Sequence, residues 1–210
     1  MPKILAFQKY ATRYEKWFEE NYRVYEAEIK AVRSLLPVGQ YGMEIGVGTG
    51  RFAAPLGVKL GVDPSDRMRK FAQKRKIKVL GGVAEKLPFK DSVFEFVLMV
   101  TTICFVNDID KAFKEACRVL LKGGYLIIGL IDRNSPIGQI YLRHQNDNVF
   151  YKEATFYSVD EVLEIMKHAG FNDFRFSQTI FRDLSEITEH EIVKSGYGEG
   201  SFVVLRGKKI

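Results

Sequence analysis

The stretch YGMEIGVGTGRF at residues 41–52 decides the fold. A short apolar run ends in Glu44 and continues directly into glycines at alternate positions, Gly46, Gly48 and Gly50. This pattern predicts a buried strand, a tight turn and the start of a helix. Glycine is needed where the backbone takes a positive φ or where a ligand comes close to the main chain, and a helix beginning just beyond would aim free N–H groups at that ligand. A plain strand-to-helix turn needs only one or two glycines, so the pattern indicates a nucleotide-type site.

The spacing of these glycines also indicates which nucleotide to expect. The dinucleotide fingerprint G-x-G-x-x-G needs a third glycine where this chain has Arg51, so a nicotinamide enzyme is disfavoured. The pattern E-x-G-x-G-x-G resembles motif I of the class I S-adenosylmethionine-dependent methyltransferases. In that family the acid lies near the methionine part of the cofactor, and the glycine loop passes beneath it. The resemblance implies S-adenosyl-L-methionine as the cofactor, with Glu44, Gly46, Gly48 and Gly50 in its site.

A second strand is predicted at residues 59–63, and it ends in Asp63. A strand–helix–strand unit of this length implies a right-handed parallel crossover, which brings Asp63 to the same sheet edge as the glycine turn. A carboxylate there can accept both ribose hydroxyls. The alternative is that Asp63 caps the helix after Pro64, because Asp is a common N-cap. We predict the ribose role and place Pro64 beside it in the cofactor site.

Residues 82–89, GVAEKLPF, resemble a further family signature, G-D-A-E-x-L-P-F, which lies at the adenine end of the cofactor. Val83 stands where the family commonly has Asp, and that Asp accepts a hydrogen bond from the adenine amino group. Glu85 or a backbone carbonyl is therefore the expected replacement. The N–H of Ala84 is predicted to meet the adenine ring.

Two more cofactor residues follow from the resemblance. A near-continuous apolar strand at residues 92–100 ends at Thr101, whose main chain is the candidate partner of the methionine amine. In related methyltransferases an N-terminal tyrosine often touches the cofactor carboxylate, and Tyr14 is the candidate here.

Neither the Asn-Pro-Pro-Tyr type of sequence nor a Pro-Cys nucleophile occurs after the strand that ends at Thr101. Their absence argues against enzymes that methylate nucleic-acid amino groups, protein amides or cytosine C5.

The apolar pattern outside these motifs predicts a helix over residues 12–36, a helix over 110–121 that closes at Gly123-Gly124, and a last strand at 201–206. Together with the resemblance, this implies an α/β fold with a doubly wound, seven-stranded, mostly parallel sheet of the Rossmann-like methyltransferase type, with an antiparallel last strand. We predict one domain over residues 1–210.

That domain is expected to carry a helical cap at about 7–36 and a lid-like insertion at about 132–157, because long irregular stretches tend to be functional. Within the insertion, Asp132 and His144 are weak candidates for contact with the substrate and for a base. The alternative is that both are ordinary polar surface residues.

Composition limits the class of protein. The chain has 210 residues, 46% of them hydrophobic, and a net charge of +6 with a pI of about 9.2. Its densest basic cluster, at residues 67–78, is interpreted as the solvated face of a helix rather than a nucleic-acid site. Cys104 and Cys117 lack metal-ligand spacing, so we expect no metal and no disulfide. No secretory signal or membrane-spanning run is found, and we expect a cytoplasmic protein.

The predicted function is methyl transfer from S-adenosylmethionine to a small-molecule acceptor by in-line displacement. The resemblance points to the branch that includes quinone-biosynthesis methyltransferases. Two alternatives stay open: an RNA or protein methyltransferase, suggested by the basic pI, and a cofactor-binding protein without activity, in which Val83 marks a degraded site. A nucleic-acid partner is disfavoured, and the oligomeric state is not predicted.

Overall fold

The computed structural model describes residues 3–38 and 41–210. In this part of the chain the strands are β1 (Gly42–Ile45), β2 (Leu60–Val62), β3 (Lys78–Leu80), β4 (Phe94–Val100), β5 (Leu120–Ile131), β6 (Phe171–Thr179), β7 (Lys194–Ser195) and β8 (Phe202–Lys209). The helices are α1 (Leu5–Glu20), α2 (Tyr22–Leu35), α3 (Ala53–Leu56), α4 (Asp66–Lys74), α5 (Ile109–Val119), α6 (Pro136–Arg143) and α7 (Val159–His168). Short 3-10 turns lie at Ile103–Phe105, Gln145–Asp147 and Leu184–Glu186.

The strands form one sheet in the order β3-β2-β1-β4-β5-β8-β6-β7. Strands β1 to β5 pair in parallel, whereas β8 lies antiparallel between β5 and β6. The doubly wound fold and the antiparallel last strand are thus confirmed. The predicted number of strands is wrong, because the sheet has eight strands rather than seven. The additional strand is β7, only two residues long, which is too short to leave a periodic pattern.

The single helix predicted over residues 12–36 is wrong, because the chain forms two helices that meet at Asn21. Asn21 leaves the helical conformation, and both its N–H (2.8 Å) and its Nδ2 (2.9 Å) donate to the Trp17 carbonyl. An asparagine side chain that competes for a helix carbonyl in this way favours a helix end. Periodicity misses the break because Phe18 and Tyr25, on either side of it, pack on each other with ring centroids 5.1 Å apart.

The helix predicted to close at Gly123-Gly124 instead ends at Val119, and β5 runs through both glycines. A Cβ atom on Gly124 would lie 2.9 Å from the carbonyl oxygens of Glu95 and Leu121. This glycine therefore permits a close approach between β5 and β4. The predicted irregular stretch 132–157 also contains a helix, α6, capped by Ser135, whose Oγ accepts the Gly138 N–H at 3.1 Å.

The sheet is covered on both faces, as the apolar β4 predicts. Val97 and Met99 of β4 pack into one core with α5 and α7, and Phe96, Leu98 and Val100 pack into the other with α2 and α3. The two cores hold the carboxyl ends of the parallel strands in fixed positions. None of the helices within residues 3–38 and 41–210 is both long enough and apolar enough to span a membrane.

Candidate functional site

A cavity of about 470 Å³ lies at the carboxyl ends of β1, β2 and β4. The strand order reverses between β1 and β4, which is where doubly wound sheets bind their ligands. Most of the residues predicted for the cofactor line this cavity: Tyr14, Gly46, Gly48, Asp63, Pro64, Ala84, Glu85 and Thr101. Of the other two, Glu44 is buried in β1 beside the cavity wall and Gly50 lies in the glycine turn behind it.

The three glycines of the turn all have positive φ, but they serve different purposes. A Cβ atom on Gly46 would lie 2.3 Å from Cγ2 of Thr102, and one on Gly50 would lie 2.4 Å from Cδ1 of Ile77. These two glycines are required by packing inside the protein. A Cβ atom on Gly48 would have no neighbour closer than 3.9 Å, so Gly48 is the glycine that leaves room for a ligand.

Asp63 is fixed by two backbone N–H groups. Its Oδ2 accepts from Gly48 and its Oδ1 accepts from Ser65, both at 2.8 Å. The cap of α4 is Ser65, whose Oγ accepts the Met68 N–H at 3.3 Å, so the structure does not support the capping alternative for Asp63. Burial raises the pKa of the Asp63 carboxyl, although the two N–H bonds oppose the shift. Each carboxylate oxygen still has a lone pair available to a ligand in the cavity.

Glu44 carries a buried polar atom that needs an explanation. Its side chain is 1% exposed, and Oε2 has no hydrogen-bond partner within the part of the chain that the structure describes. Burial raises the pKa of the Glu44 carboxyl well above its usual range, with the N–H of Ala53 opposing and the charge of Asp63 reinforcing the shift. A buried acceptor without a partner, next to a ligand cavity, fits a ligand that supplies a donor.

The end of β4 has an unusual backbone. Thr101 has a φ of 48°, which is rare for a β-branched residue, and its N–H is held by the Gly129 carbonyl at 2.8 Å. The neighbouring Thr102 donates through Oγ1 to the Val100 carbonyl at 2.9 Å and lies within 3.4 Å of the Gly46 carbonyl. Strained residues such as Thr101 cluster at ligand sites, and Thr101 lines the cavity beside the glycine turn.

At the predicted adenine end, Val83 and Ala84 line the cavity. The Glu85 carboxylate is already engaged, because its Oε1 accepts the N–H groups of Asn107 (2.7 Å) and Asp108 (3.3 Å). Of the two replacements expected for the missing Asp, the geometry favours a backbone carbonyl over the Glu85 side chain. Asn107 also lines the cavity, and no sequence signal singled it out.

Neither Asp132 nor His144 is among the described residues that line the cavity. Asp132 is buried, and its Oδ1 accepts the N–H groups of Asn134 (3.0 Å) and Val159 (3.4 Å), so it organises the turns before α6 and α7. His144 is exposed, with Nδ1 3.8 Å from Oδ2 of Asp147. The position of His144 matches the alternative of an ordinary polar surface residue, whereas Asp132 is buried and matches neither expectation.

The sequence analysis did not single out Glu28 of α2, an acidic residue in the cavity wall. Its side chain is 4% exposed, and burial raises its pKa to about 8. It lies on the apolar face of α2, one turn after Val24 and one turn before Val32, both buried. An acidic residue within an apolar helical stripe was the available signal.

Helix α1 is joined to the glycine turn by ion pairs. Glu15 of α1 accepts from Nη2 of Arg51 (2.9 Å) and from Nη2 of Arg75 (2.5 Å). Arg75 also donates through Nη1 to the Thr49 carbonyl at 3.0 Å, and Arg69 donates to the Asp63 carbonyl at 2.8 Å. Two arginines of the basic cluster therefore hold α4 against the turn. Arg51, which breaks the dinucleotide fingerprint, is part of the same network.

Comparisons with known proteins agree with this geometry. Residues 43–128 match the family model described as a methyltransferase domain. The chain is 51% identical to a Thermotoga maritima protein described as an S-adenosylmethionine-dependent methyltransferase, possible histamine N-methyltransferase. The match covers 99% of this chain and 100% of that one, with a TM-score of 0.97.

Two curated relatives are also similar. An uncharacterized protein of Methanocaldococcus jannaschii is 48% identical over 205 residues, which cover 98% of this chain and 99% of the relative. A demethylmenaquinone methyltransferase of Chlorobaculum tepidum is 35% identical over 166 residues, which cover 66% of this chain and 68% of the relative.

The residues present fit the cofactor of this family. The cavity offers a glycine with open space above it, Gly48, and a fixed carboxylate with spare acceptor capacity, Asp63. Beside the cavity wall, the buried Glu44 Oε2 has no hydrogen-bond partner among the described residues. The chain belongs to the class I S-adenosylmethionine-dependent methyltransferases, and S-adenosylmethionine is its cofactor.

Proposed function

We propose that the protein transfers a methyl group from S-adenosylmethionine to a small-molecule acceptor by in-line displacement. The observation that supports this most directly is the composition of the cavity wall. Beyond the cofactor residues, the same cavity is lined by a second group of mostly apolar side chains from separate elements: Trp17, Phe18, Glu28, Ile131, Tyr141 and Tyr151. A space closed by large aromatic side chains suits a compact acceptor better than a polymer.

The cofactor residues have separable roles in this proposal. Asp63 would hold the ribose hydroxyls, and the Ala84 backbone the adenine. Glu44, Thr101 and Tyr14 would hold the amino acid end. When bound, S-adenosylmethionine supplies a methyl group that its sulfonium already activates, so the protein needs no covalent nucleophile. What remains for the chain is to orient the acceptor and exclude water, and such positioning contributes ~7–11 kcal/mol in ideal intramolecular cases.

We further propose that residues 1–210 form one methyltransferase domain, with a helical cap at about 7–36 and a lid at about 132–157. Aromatic contacts support this arrangement. Phe150 packs against Phe7 and Tyr14 of α1, with ring centroids 5.3 and 6.0 Å apart. All three side chains line the cavity, so the two segments meet at its wall.

The descriptions of two relatives favour a small acceptor over a macromolecule. One is described as a possible histamine N-methyltransferase and the other as a demethylmenaquinone methyltransferase. The basic pI gives only limited support to a nucleic-acid substrate. Two arginines of the basic cluster, Arg69 and Arg75, form hydrogen bonds to backbone carbonyls within the protein.

The test is a calorimetric titration with S-adenosylhomocysteine, with NAD as the control, followed by a methyl-transfer assay on a panel of amines, phenols and quinols. We expect one-site binding of S-adenosylhomocysteine alone, and transfer to a member of the panel. Transfer confined to RNA or protein would contradict the proposed acceptor class. A folded protein that does not bind S-adenosylhomocysteine would contradict catalysis as well.

A further inference from the structure

Glu28 lines the cavity wall, and the proposed cofactor site has no role for it. Its carboxylate faces a cavity and is almost fully buried, yet the structure records no hydrogen bond or ion pair to it from residues 3–38 or 41–210. Carboxylates are rarely buried unless they are paired. A group in this state suits a ligand that brings the missing partner.

The surroundings of Glu28 indicate the chemistry of that ligand. The aromatic side chains that line the same cavity include Trp17, Phe18, Tyr141 and Tyr151. The Tyr141 and Tyr151 rings stack with centroids 5.0 Å apart. Aromatic faces attract cations, and a buried carboxylate completes a site for one. A quinol or another neutral acceptor could not form an ion pair with the Glu28 carboxylate.

We propose that Glu28 is the acceptor-site carboxylate, and that it binds the ammonium group of a compact aromatic or heteroaromatic amine and takes one proton from it. This inference rests on the proposed function and names the substrate class of that same site. The step is a proton transfer, in which R–NH₃⁺ and the Glu28 carboxylate give R–NH₂ and the Glu28 carboxylic acid. The nitrogen keeps its lone pair and becomes a nucleophile, which an ammonium is not.

The titratable groups around Glu28 leave its carboxylate available to bind an ammonium group. The groups that respond to its charge are four phenols: Tyr14 of α1, Tyr25 of the same helix α2, Tyr141 of α6 and Tyr151 of the loop after α6. Burial raises the pKa of all four, so they stay neutral. The charged residues of the cavity wall also include Lys3, Arg13 and Glu20. Charged residues also act on two of these phenols: Glu44 on Tyr14 and Tyr25, Asp63 and Glu15 on Tyr14, and Arg51 and Arg75 on Tyr25.

The protonation state of Glu28 determines how the affinity for an amine should change with pH. Burial raises the pKa of Glu28 to about 8, so the carboxyl is mostly protonated at pH 7. An ammonium that binds to the carboxylate must therefore displace a proton into solution. Its affinity should rise about tenfold for each pH unit up to pH 8 and then level off.

The test is a titration of the protein saturated with S-adenosylhomocysteine, using 2-phenylethylamine and histamine as probes and 2-phenylethanol as the neutral control. The variant is Glu28→Gln, which matches the neutral acid in shape. The matched control is Glu26→Gln, on the same helix but outside the cavity wall. Calorimetry in buffers with different ionisation enthalpies counts the protons released on binding.

We expect at least one amine to bind the wild type and Glu26→Gln, with close to one proton released at pH 7, and at least tenfold more tightly than the alcohol. Glu28→Gln should lose at least tenfold in amine affinity and release no proton, while Glu28→Asp should recover part of both. All variants should bind S-adenosylhomocysteine within about twofold of the wild type.

Three results would overturn the inference: unchanged amine binding in Glu28→Gln, binding of neither amine by a wild type that binds S-adenosylhomocysteine, or loss of S-adenosylhomocysteine affinity in a folded Glu28→Gln. The last would assign Glu28 to the cofactor site. Failure of the wild type itself to bind S-adenosylhomocysteine would instead contradict the proposed function, so the two failures are distinguishable.

Discussion

Asp63 Oδ2 accepts the backbone N–H of Gly48 at 2.8 Å, and this hydrogen bond joins the end of β2 to the centre of the glycine turn. The carboxylate is thereby fixed at the cavity wall before any ligand arrives. Its remaining acceptor capacity faces the space where the ribose is predicted to lie. The residue that is proposed to hold the cofactor also holds the loop that makes room for it.

Replacement of Asp63 by Asn should weaken cofactor binding more than it weakens the fold. The amide keeps one acceptor oxygen but loses the charge and the second acceptor, and a hydrogen bond to a charged group contributes ~1.5–3 kcal/mol. We expect the affinity for S-adenosylhomocysteine, measured by calorimetry, to fall at least tenfold. Asp66→Asn, an exposed change in the first turn of α4, is the control and should bind normally. An unchanged affinity in Asp63→Asn would mean that another group holds the ribose.

The different surroundings of Gly48 and Gly50 predict opposite phenotypes for the same substitution. Gly48→Ala meets no atom closer than 3.9 Å, so its cost is the positive φ, which is ~1–2 kcal/mol for a residue with a Cβ. The new methyl group would nevertheless project into the cavity. We expect a folded protein with at least tenfold weaker binding of S-adenosylhomocysteine.

Gly50→Ala places its Cβ atom 2.4 Å from Ile77 and 3.4 Å from Ala72. It should therefore lower the urea midpoint strongly, by more than Gly48→Ala. The double variant Gly50→Ala, Ile77→Ala removes the obstructing Cδ1 atom and separates the clash from the positive φ. Equal urea midpoints for the two single variants would argue against this division of roles.

The sequence was sufficient to predict those features that depend on residues close together in the chain. The glycine turn and the acid at the end of β2 were both readable, because each depends on residues only a few positions apart. The resemblance to the methyltransferases added the remaining cofactor residues.

The features that were missed depend on tertiary contacts. The break at Asn21 hides within continuous periodicity, because both helices face the same core. Glu28 looks like one acid among many until the fold buries it against α1 and α6. The Glu85 carboxylate is one of the expected partners of adenine, but it accepts the N–H groups of residues 107 and 108 instead. No spacing in the sequence reveals this contact.

The ion pairs of Glu15 predict that this carboxylate makes a large contribution to holding α1 in place. Partial burial favours a higher pKa for Glu15, but hydrogen bonds from Arg75 and Arg51 outweigh it and hold that pKa below its usual range. This stabilisation is present at neutral pH and is lost as the pH falls through the lowered pKa. Glu15→Gln should lower the free energy of unfolding at pH 7 by roughly 1–3 kcal/mol and speed amide exchange in α1.

The control for Glu15 is Glu164→Gln, which removes an exposed pair with Lys167 and should change the free energy of unfolding far less than Glu15→Gln. Exchange in α1 that is equally slow in Glu15→Gln and in the wild type would show that aromatic packing, not the ion pairs, holds this helix.

Glu28 predicts an unusual dependence of stability on pH. Its pKa of about 8 in the folded protein exceeds the ordinary value of 4.5, so the folded state binds more protons than the unfolded state between these two values. Its contribution to stability is therefore largest below pH 4.5 and declines as the pH rises towards 8. Glu28→Gln removes this decline, so between pH 5 and pH 8 the wild type should lose up to about 4 kcal/mol of stability that the variant keeps.

Urea unfolding of the wild type, Glu28→Gln and Glu26→Gln at pH 5 and pH 8 measures this difference directly. Glu44 and Asp63 also have raised pKa values and add a slope of the same sign, but they are present in all three proteins and cancel in the comparison. If the pH slope of Glu28→Gln equals that of the wild type, Glu28 is ionised in the folded protein at neutral pH, and the proton release predicted on amine binding must also be absent. The stability measurement therefore tests the proton equilibrium of the acceptor site without any ligand.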